Sequence, residues 1–395
     1  MNIQKYTFFP LAFSLVLSQG LMAKDKNLLI EMSPYVFSKI SEADQLFAKT
    51  DKLRTQAGLY RFKYKESKIS TLSKLVHDNL ERCGGFRVVS ENDRHSNQVV
   101  EKLLRSPPDY QVNQSTLVES WFETIERAPM NEIITHLSSY KTRYYTSPEG
   151  IEAMRWISQK WQDLTKNRTD IKVELHKHSG FEQETVILTI QGSENPDKII
   201  ILGGHGDSIN TDNEGPTSIA PGSDDNAAGI AVLSEILRQV VLHNYRPKNT
   251  IQFIAYAAEE VGIRGSYDLA HFYAQQRKNV IGVMQFDGTN YTGQTFDMAL
   301  IADNTNKAQN LFVASLIDTY LKVSWKYDEC HYACSDHAAW NYEGYSASYP
   351  VETIGSEQNP YIHTPKDTFD KSNFDTEHAE IFLKLGIAYL IELDQ

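Results

Sequence analysis

The chain has 395 residues, 41% hydrophobic and 11% aromatic, enough to bury a large core in one sizeable domain plus an accessory segment. It carries 39 basic against 51 acidic residues, a net charge of −12, with no Lys/Arg-rich block. That balance argues against nucleic acid or an anionic membrane as partner and favours metal cations or amines.

Residues 1–23, MNIQKYTFFPLAFSLVLSQGLMA, carry Lys5, an apolar run from Tyr6 to Leu17 and small residues up to Ala23. This is the layout of a secretory signal peptide, and the run is too short to span a membrane. A secreted product without a membrane span after cleavage is expected, extracellular or periplasmic in a bacterium. Residues 24–108 are rich in Lys, Glu, Ser and Asp, with helical apolar spacing around Leu72, Leu75 and Leu80. They end at Pro107-Pro108, a strong punctuation that marks a boundary. Helical patterns follow in SWFETIERAPMNEIITHLSSY and GIEAMRWISQKWQDLT. Then come the β-type runs ETVILTIQG, KIIILGGH, TIQFIAYAAE, VIGVMQFDG and DMALIAD, with GIAVLSEILRQVVL among them at helical spacing. Strands alternating with helices predict a single α/β domain over 109–395, with a central, mostly parallel mixed sheet between helices.

Of three cysteines, Cys330 and Cys334 stand four apart in YDECHYACSDH. In an exported protein a small-loop disulfide is the first reading, half a zinc site or two thiols the alternatives. Cys83 is then left over.

In open α/β sheets, ligands gather beyond the carboxyl ends of the strands. His205 and Asp207 follow KIIILGG, Glu259 and Glu260 follow IQFIAYAA, and Asp287 follows VIGVMQF. Asp224 and Asp225 sit in PGSDDNAAG before a helix, and His363 lies in NPYIHTPKDTF. Taken singly, each has an ordinary structural explanation, such as a helix N-cap for the aspartates. Together, so many carboxyls at strand ends are unfavourable without a cation. Two histidines and several carboxylates suit a hydrolytic Zn²⁺ pair, which can share one bridging carboxylate and one bridging water.

The segments GGHGDSI, APGSDDNAAGIAVLSEILR, IAYAAEEVGIRGSYDLA, QFDGTNY, YACSDHAAW and IHTPKDT, in this order, resemble the zinc-dependent aminopeptidases of the M28 family. The likeness is to the secreted leucyl enzymes of Vibrio type and covers about 110–395. It implies a secreted di-zinc aminopeptidase that removes Leu or another large N-terminal residue, such as Phe, Tyr, Lys or Arg, from peptides with a free N-terminus. It implies His205, Asp225, Glu260, Asp287 and His363 as ligands of two zinc ions, with Asp225 bridging and its peptide bond to Asn226 cis. Asn226 departs from the aspartate usual there. A metal-bridging water is the implied nucleophile and Glu259 the implied general base; Asp207 would orient His205, and Tyr332 would donate to the oxyanion. Ile301 matches a wall of the pocket for the first side chain, whereas Gly288 and Val351 stand where relatives carry bulkier Met and Phe. Residues 24–108 then look like a propeptide, a folding aid or inhibitor removed later, with a stable accessory domain as the alternative. A monomer is expected.

Two other functions compete. A di-zinc carboxypeptidase or deacylase would need a guanidinium for the substrate carboxylate, and the strand-end loops offer only Arg264. A non-catalytic binding domain on the same fold would have lost ligands, which this chain retains. A serine hydrolase is disfavoured, since no G-x-S-x-G occurs.

Overall fold

The structure is a computed structural model that describes residues 26–55, 58–80, 84–89, 108–213 and 215–395. The expected signal peptide, Cys83 and Pro107 lie outside the described residues.

The N-terminal segment folds into its own small unit. Strand β1 (Asn27–Met32) is followed by helices α1 (Pro34–Ala43) and α2 (Gln45–Ala48), then β2 (Leu53–Arg54), β3 (Tyr60–Lys65), α3 (Ile69–Leu80) and β4 (Phe86–Val89). The strands form an antiparallel sheet in the order β2-β3-β1-β4. At its centre Glu31 is buried and ion-paired with both Arg61 and Arg87, which satisfies a carboxylate that burial alone would destabilise. The spacing of Leu72, Leu75 and Leu80 predicts α3 correctly, and Ile69, Leu72 and Val76 form its buried stripe.

Three helices open the larger domain: α4 (Ser115–Phe122), α5 (Ala128–Ser139) and α6 (Pro148–Thr165). The run SWFETIERAPMNEIITHLSSY, read as one helical pattern, is two helices parted at 123–127, with Pro129 in the first turn of α5, where its missing N–H is harmless. Ser147 caps α6 by accepting the Gly150 N–H at 2.8 Å. Next come β5 (Ile171–His176), β6 (Thr185–Ile190), β7 (Asn195–His205), α7 (Gly229–Leu242), β8 (Asn249–Tyr256), α8 (Arg264–Gln275) and β9 (Asn279–Gln285). The chain closes with β10 (Met298–Ile301), α9 (Lys307–Leu316), β11 (Trp325–Asp328), α10 (His337–Tyr342), β12 (Ala347–Ser348), β13 (Pro350–Val351) and α11 (Ala379–Leu393).

Six strands form the main sheet, ordered β12-β9-β7-β8-β6-β5. The first four run parallel; β6 is antiparallel to β8 and β5 antiparallel to β6, so the sheet is mixed and mostly parallel as predicted. Along β7 the side chains alternate between two cores. Ile200 and Leu202 join α5, α6, α7 and α11 on one face, whereas Ile199 and Ile201 join α8 and α10 on the other. DMALIAD departs from expectation in place rather than in type: β10 leaves the main sheet for a three-stranded one, β11-β10-β13. There Ala299 pairs with Val351 and Ile301 with Asp328. Among the described residues no helix is long and apolar enough to cross a membrane.

Candidate metal centre

Because β9, β7 and β8 are parallel neighbours, their carboxyl ends open at one edge of the sheet. His205 ends β7, Glu259 and Glu260 lie three and four residues past β8, and Asp287 lies two past β9. Asp225 enters from the turn before α7 and His363 from the loop before α11. All six are at most 5% exposed.

The polar atoms of five of them, all but Glu259, converge in two groups that share one residue. Nε2 of His205 lies 3.0 Å from Oδ1 of Asp225 and 3.3 Å from Oδ1 of Asp287. Nε2 of His363 lies 3.1 Å from Oδ2 of Asp225 and 2.9 Å from Oε2 of Glu260. Asp225 thus offers one oxygen to each group, and its peptide bond to Asn226 is cis. The amide of Asn226 is used on both sides: Nδ2 donates to the Phe286 carbonyl at 2.8 Å, and Oδ1 accepts the Gly229 N–H at 2.9 Å. An aspartate there would present acceptors only.

Two buried aspartates hold the acidic loops by accepting pairs of backbone N–H groups. Asp207 takes those of Glu259 and Glu260 at 3.0 and 3.2 Å, while its Oδ1 lies 3.4 Å from Nδ1 of His205. Asp367 takes those of Asp224 and Asp225, both at 3.1 Å. Ser335 donates to Oδ2 of Asp287 at 2.6 Å, and Gln285 donates to Ser335 and Asp336. Arg143 is wholly buried beneath these loops and donates to the carbonyls of Leu137, Gly206, Pro221 and Gly222. Sequence reasoning assigned no role to Arg143, Asp367 or Ser335. Asp367 does fall four residues after His363 in IHTPKDT, a proximity that hinted at it; Arg143 had no local signal.

The protonation pattern reports a strongly negative cavity. Burial opposes charge on His363, yet Glu260 and Asp225 raise its pKa to about 10. Burial likewise disfavours charge on His205, and Asp287, Asp207 and Asp225 overcome it, raising that imidazole well above its usual value. Burial, with nearby carboxylates adding to it, pushes Glu259 well above the carboxylate range, and both of its oxygens lack a hydrogen bond among the described residues. A cation fits this donor set of two imidazoles and three carboxylates, which matches zinc chemistry. It would also offset the desolvation of the buried carboxyls.

Tyr332 is buried inside the loop closed by the Cys330–Cys334 disulfide. Ile301 and Val351 stand on adjacent strands and belong to one apolar cluster, and a Cβ on Gly288 would meet Val351 Cγ2 at 3.6 Å.

Over this edge lies the N-terminal unit. Ser73 of α3 donates to the Glu260 carbonyl at 2.9 Å, and the ring of His77 is 4.6 Å from that of His363. Glu66 pairs with Arg264 at 3.2 Å. The Gly85 N–H donates to the Ala333 carbonyl at 3.1 Å; a Cβ on neighbouring Gly84 would stand 2.3 Å from that oxygen, a close approach open only to glycine. Leu72 and Val76 share one apolar cluster with Ile301, Tyr332 and Tyr349.

Fold and centre together define a metallohydrolase of the mixed α/β kind. The sequence pattern of peptidase family M28 matches residues 185–385. A probable aminopeptidase of Saccharomyces cerevisiae is 32% identical over 73% of this chain and 78% of its own length. A probable leucine aminopeptidase of Arthroderma benhamiae is 34% identical over 80% and 87%. The crystal structure of the LapA aminopeptidase of Legionella pneumophila superposes with a TM-score of 0.80 at 28% identity, covering 94% of this chain and 99% of that one. The chain belongs to peptidase family M28 and is a zinc metallo-aminopeptidase.

Proposed function

We propose that the protein is a secreted di-zinc aminopeptidase that releases a large N-terminal residue from peptides. The observation that carries this reading is the pair of candidate ligand groups sharing Asp225, with the Glu259 carboxylate, which has no hydrogen bond among the described residues, beside them. His205, Asp225 and Asp287 would hold one ion, and His363, Glu260 and the second oxygen of Asp225 the other. When bound, the metals supply an acidified water and electrophilic stabilisation of the scissile carbonyl. Glu259 takes the proton of the attacking water on a carboxylate oxygen and returns it to the leaving amine. Asp207, through the two N–H groups it accepts, fixes the turn that aims Glu259 and Glu260. The Tyr332 hydroxyl is positioned in the same reading as a donor to the oxyanion.

A carboxypeptidase reading would rest on Arg264, whose guanidinium is packed over the rings of Tyr145 and Phe181 within the larger domain. The test is a panel of aminoacyl anilides and peptides blocked at either end. Full chelation is expected to abolish cleavage and zinc to restore it, and N-acetylated peptides should resist while C-terminally amidated ones are cut. Activity surviving chelation would refute the metal mechanism, and cleavage of N-blocked peptides would refute the aminopeptidase.

Ile301, Val351 and Gly288 would form the pocket for the first side chain, widened by the small residues at 288 and 351. Replacement by Gly288→Met with Val351→Phe is expected to shift preference toward Leu by about 1–3 kcal/mol, the range one methylene commands in an apolar pocket. Gly288 has φ +59°, so methionine there must accept the left-handed region. Unchanged relative kcat/KM on Leu, Phe and Lys anilides would remove these residues from the pocket.

Residues 24–108 act, in this reading, as an inhibitory propeptide. Support comes from α3, which lays Ser73 and His77 against Glu260 and His363.

A further inference from the structure

We propose that His176, His178 and Asp268 form a second, peripheral site for a divalent transition-metal ion of the zinc or copper class, separate from the catalytic centre. The three come from different places: His176 ends the edge strand β5, His178 follows in the next loop, and Asp268 projects from α8. Nδ1 of His178 lies 2.6 Å from Oδ2 of Asp268, and Nε2 of His176 lies 3.5 Å from the same oxygen. One ligand atom from each residue lies within 4.8 Å of the other two. Bonds of about 2.0–2.2 Å to a tetrahedral ion separate ligand atoms by roughly 3.3 Å. The carboxylate therefore has to withdraw by less than about 1 Å from His178. Asp268 can do so, because its side chain is 46% exposed, whereas His178 is 1% exposed and fixed.

What fixes His178 is the arrangement expected of a metal-binding imidazole. Its other nitrogen, Nε2, is 2.7 Å from the Thr185 hydroxyl, which sets the ring orientation and leaves Nδ1 facing Asp268 and His176. Phe181 stacks on the His178 ring at 4.9 Å, and Phe272 lies 5.6 Å from the ring of His176. Burial lowers the proton affinity of His178. Against the effect of burial on Asp268, the two imidazoles hold its carboxyl well below the usual range. A neutral imidazole and an ionised carboxylate are the states that bind metal. Access is open, since His178 and Asp268 line a groove of about 780 Å³ between α8 and the N-terminal unit. Two imidazoles and one carboxylate select late transition ions over calcium or magnesium, and solvent completes the coordination.

The site is tested on the full-length protein by counting bound Zn²⁺ after equilibrium dialysis, in wild type and in His176→Ala and Asp268→Asn. Wild type is expected to hold one equivalent more than either variant, with equal anilide hydrolysis in all three. Cu²⁺ bound at this position should show electron-spin couplings to two imidazole nitrogens, reduced to one in His176→Ala. The extra equivalent should persist in Glu260→Gln, which separates this site from the catalytic reading. Equal zinc counts in wild type and both variants, or Cu²⁺ couplings unchanged by His176→Ala, would overturn the proposal.

Discussion

Glu259→Gln is expected to lower kcat by about 100-fold to 10,000-fold, the range for losing a positioned acid–base group, with bound zinc unchanged. Glutamine keeps the size and one acceptor of glutamate but cannot hold the transferred proton. Glu260→Gln should behave differently. Oε2 of Glu260 approaches the His363–Asp225 group, so its loss would remove a proposed ligand and should weaken zinc retention at least tenfold, since even changes to the groups that orient metal ligands reach 10–100-fold. Metal analysis after gel filtration, alongside anilide kinetics, separates the two. If both variants retain zinc equally, or both lose it equally, the assignment of different duties to adjacent carboxylates is wrong. The geometry already distinguishes the pair: Oε2 of Glu260 meets His363, whereas neither oxygen of Glu259 has a hydrogen bond among the described residues.

Undocking the N-terminal unit is the second large effect expected. Burying a side chain such as Leu72 or Val76 contributes about 1.5–3 kcal/mol, and each 1.4 kcal/mol is tenfold in an equilibrium. Leu72→Asp with Val76→Asp in the intact chain should expose the centre and raise kcat/KM on Leu anilide at least tenfold. The same gain is expected when the segment is cleaved off and separated from 109–395. An unchanged kcat/KM after verified removal would assign the unit to folding or stability rather than inhibition. Ser73 and His77 lie against the backbone of Glu260 and the ring of His363, so access and not the ligand set should change. Metal content should therefore be the same before and after removal.

The α/β class was legible in the sequence because both faces of the main sheet are covered. β8 is buried at every position, which reads as the mostly apolar run TIQFIAYAA, and α7 is apolar at helical spacing over the very residues it occupies. The polar residues that close β7, β8 and β9 were legible for the same reason: charge at the end of an apolar strand is conspicuous. Edge elements were less so. β5 and β12 carry weaker patterns, and nothing local in DMALIAD says that β10 pairs with β11 and β13 instead of the main sheet.

By itself the sequence determined which residue types punctuate which strands, the helical stripe of α3 and the order of the family's segments. Only the tertiary structure decided that β9, β7 and β8 are neighbours, and hence that His205, Glu260 and Asp287 share one edge with residues from two distant loops. It also decided that Arg143 underlies those loops, that Asp207 and Asp367 hold their backbones, and that α3 packs against Glu260 and His363. Each of these is a contact between residues far apart along the chain. Periodicity reports what lies within a turn or a strand, whereas the partner of a buried charge is set by the packing of whole elements.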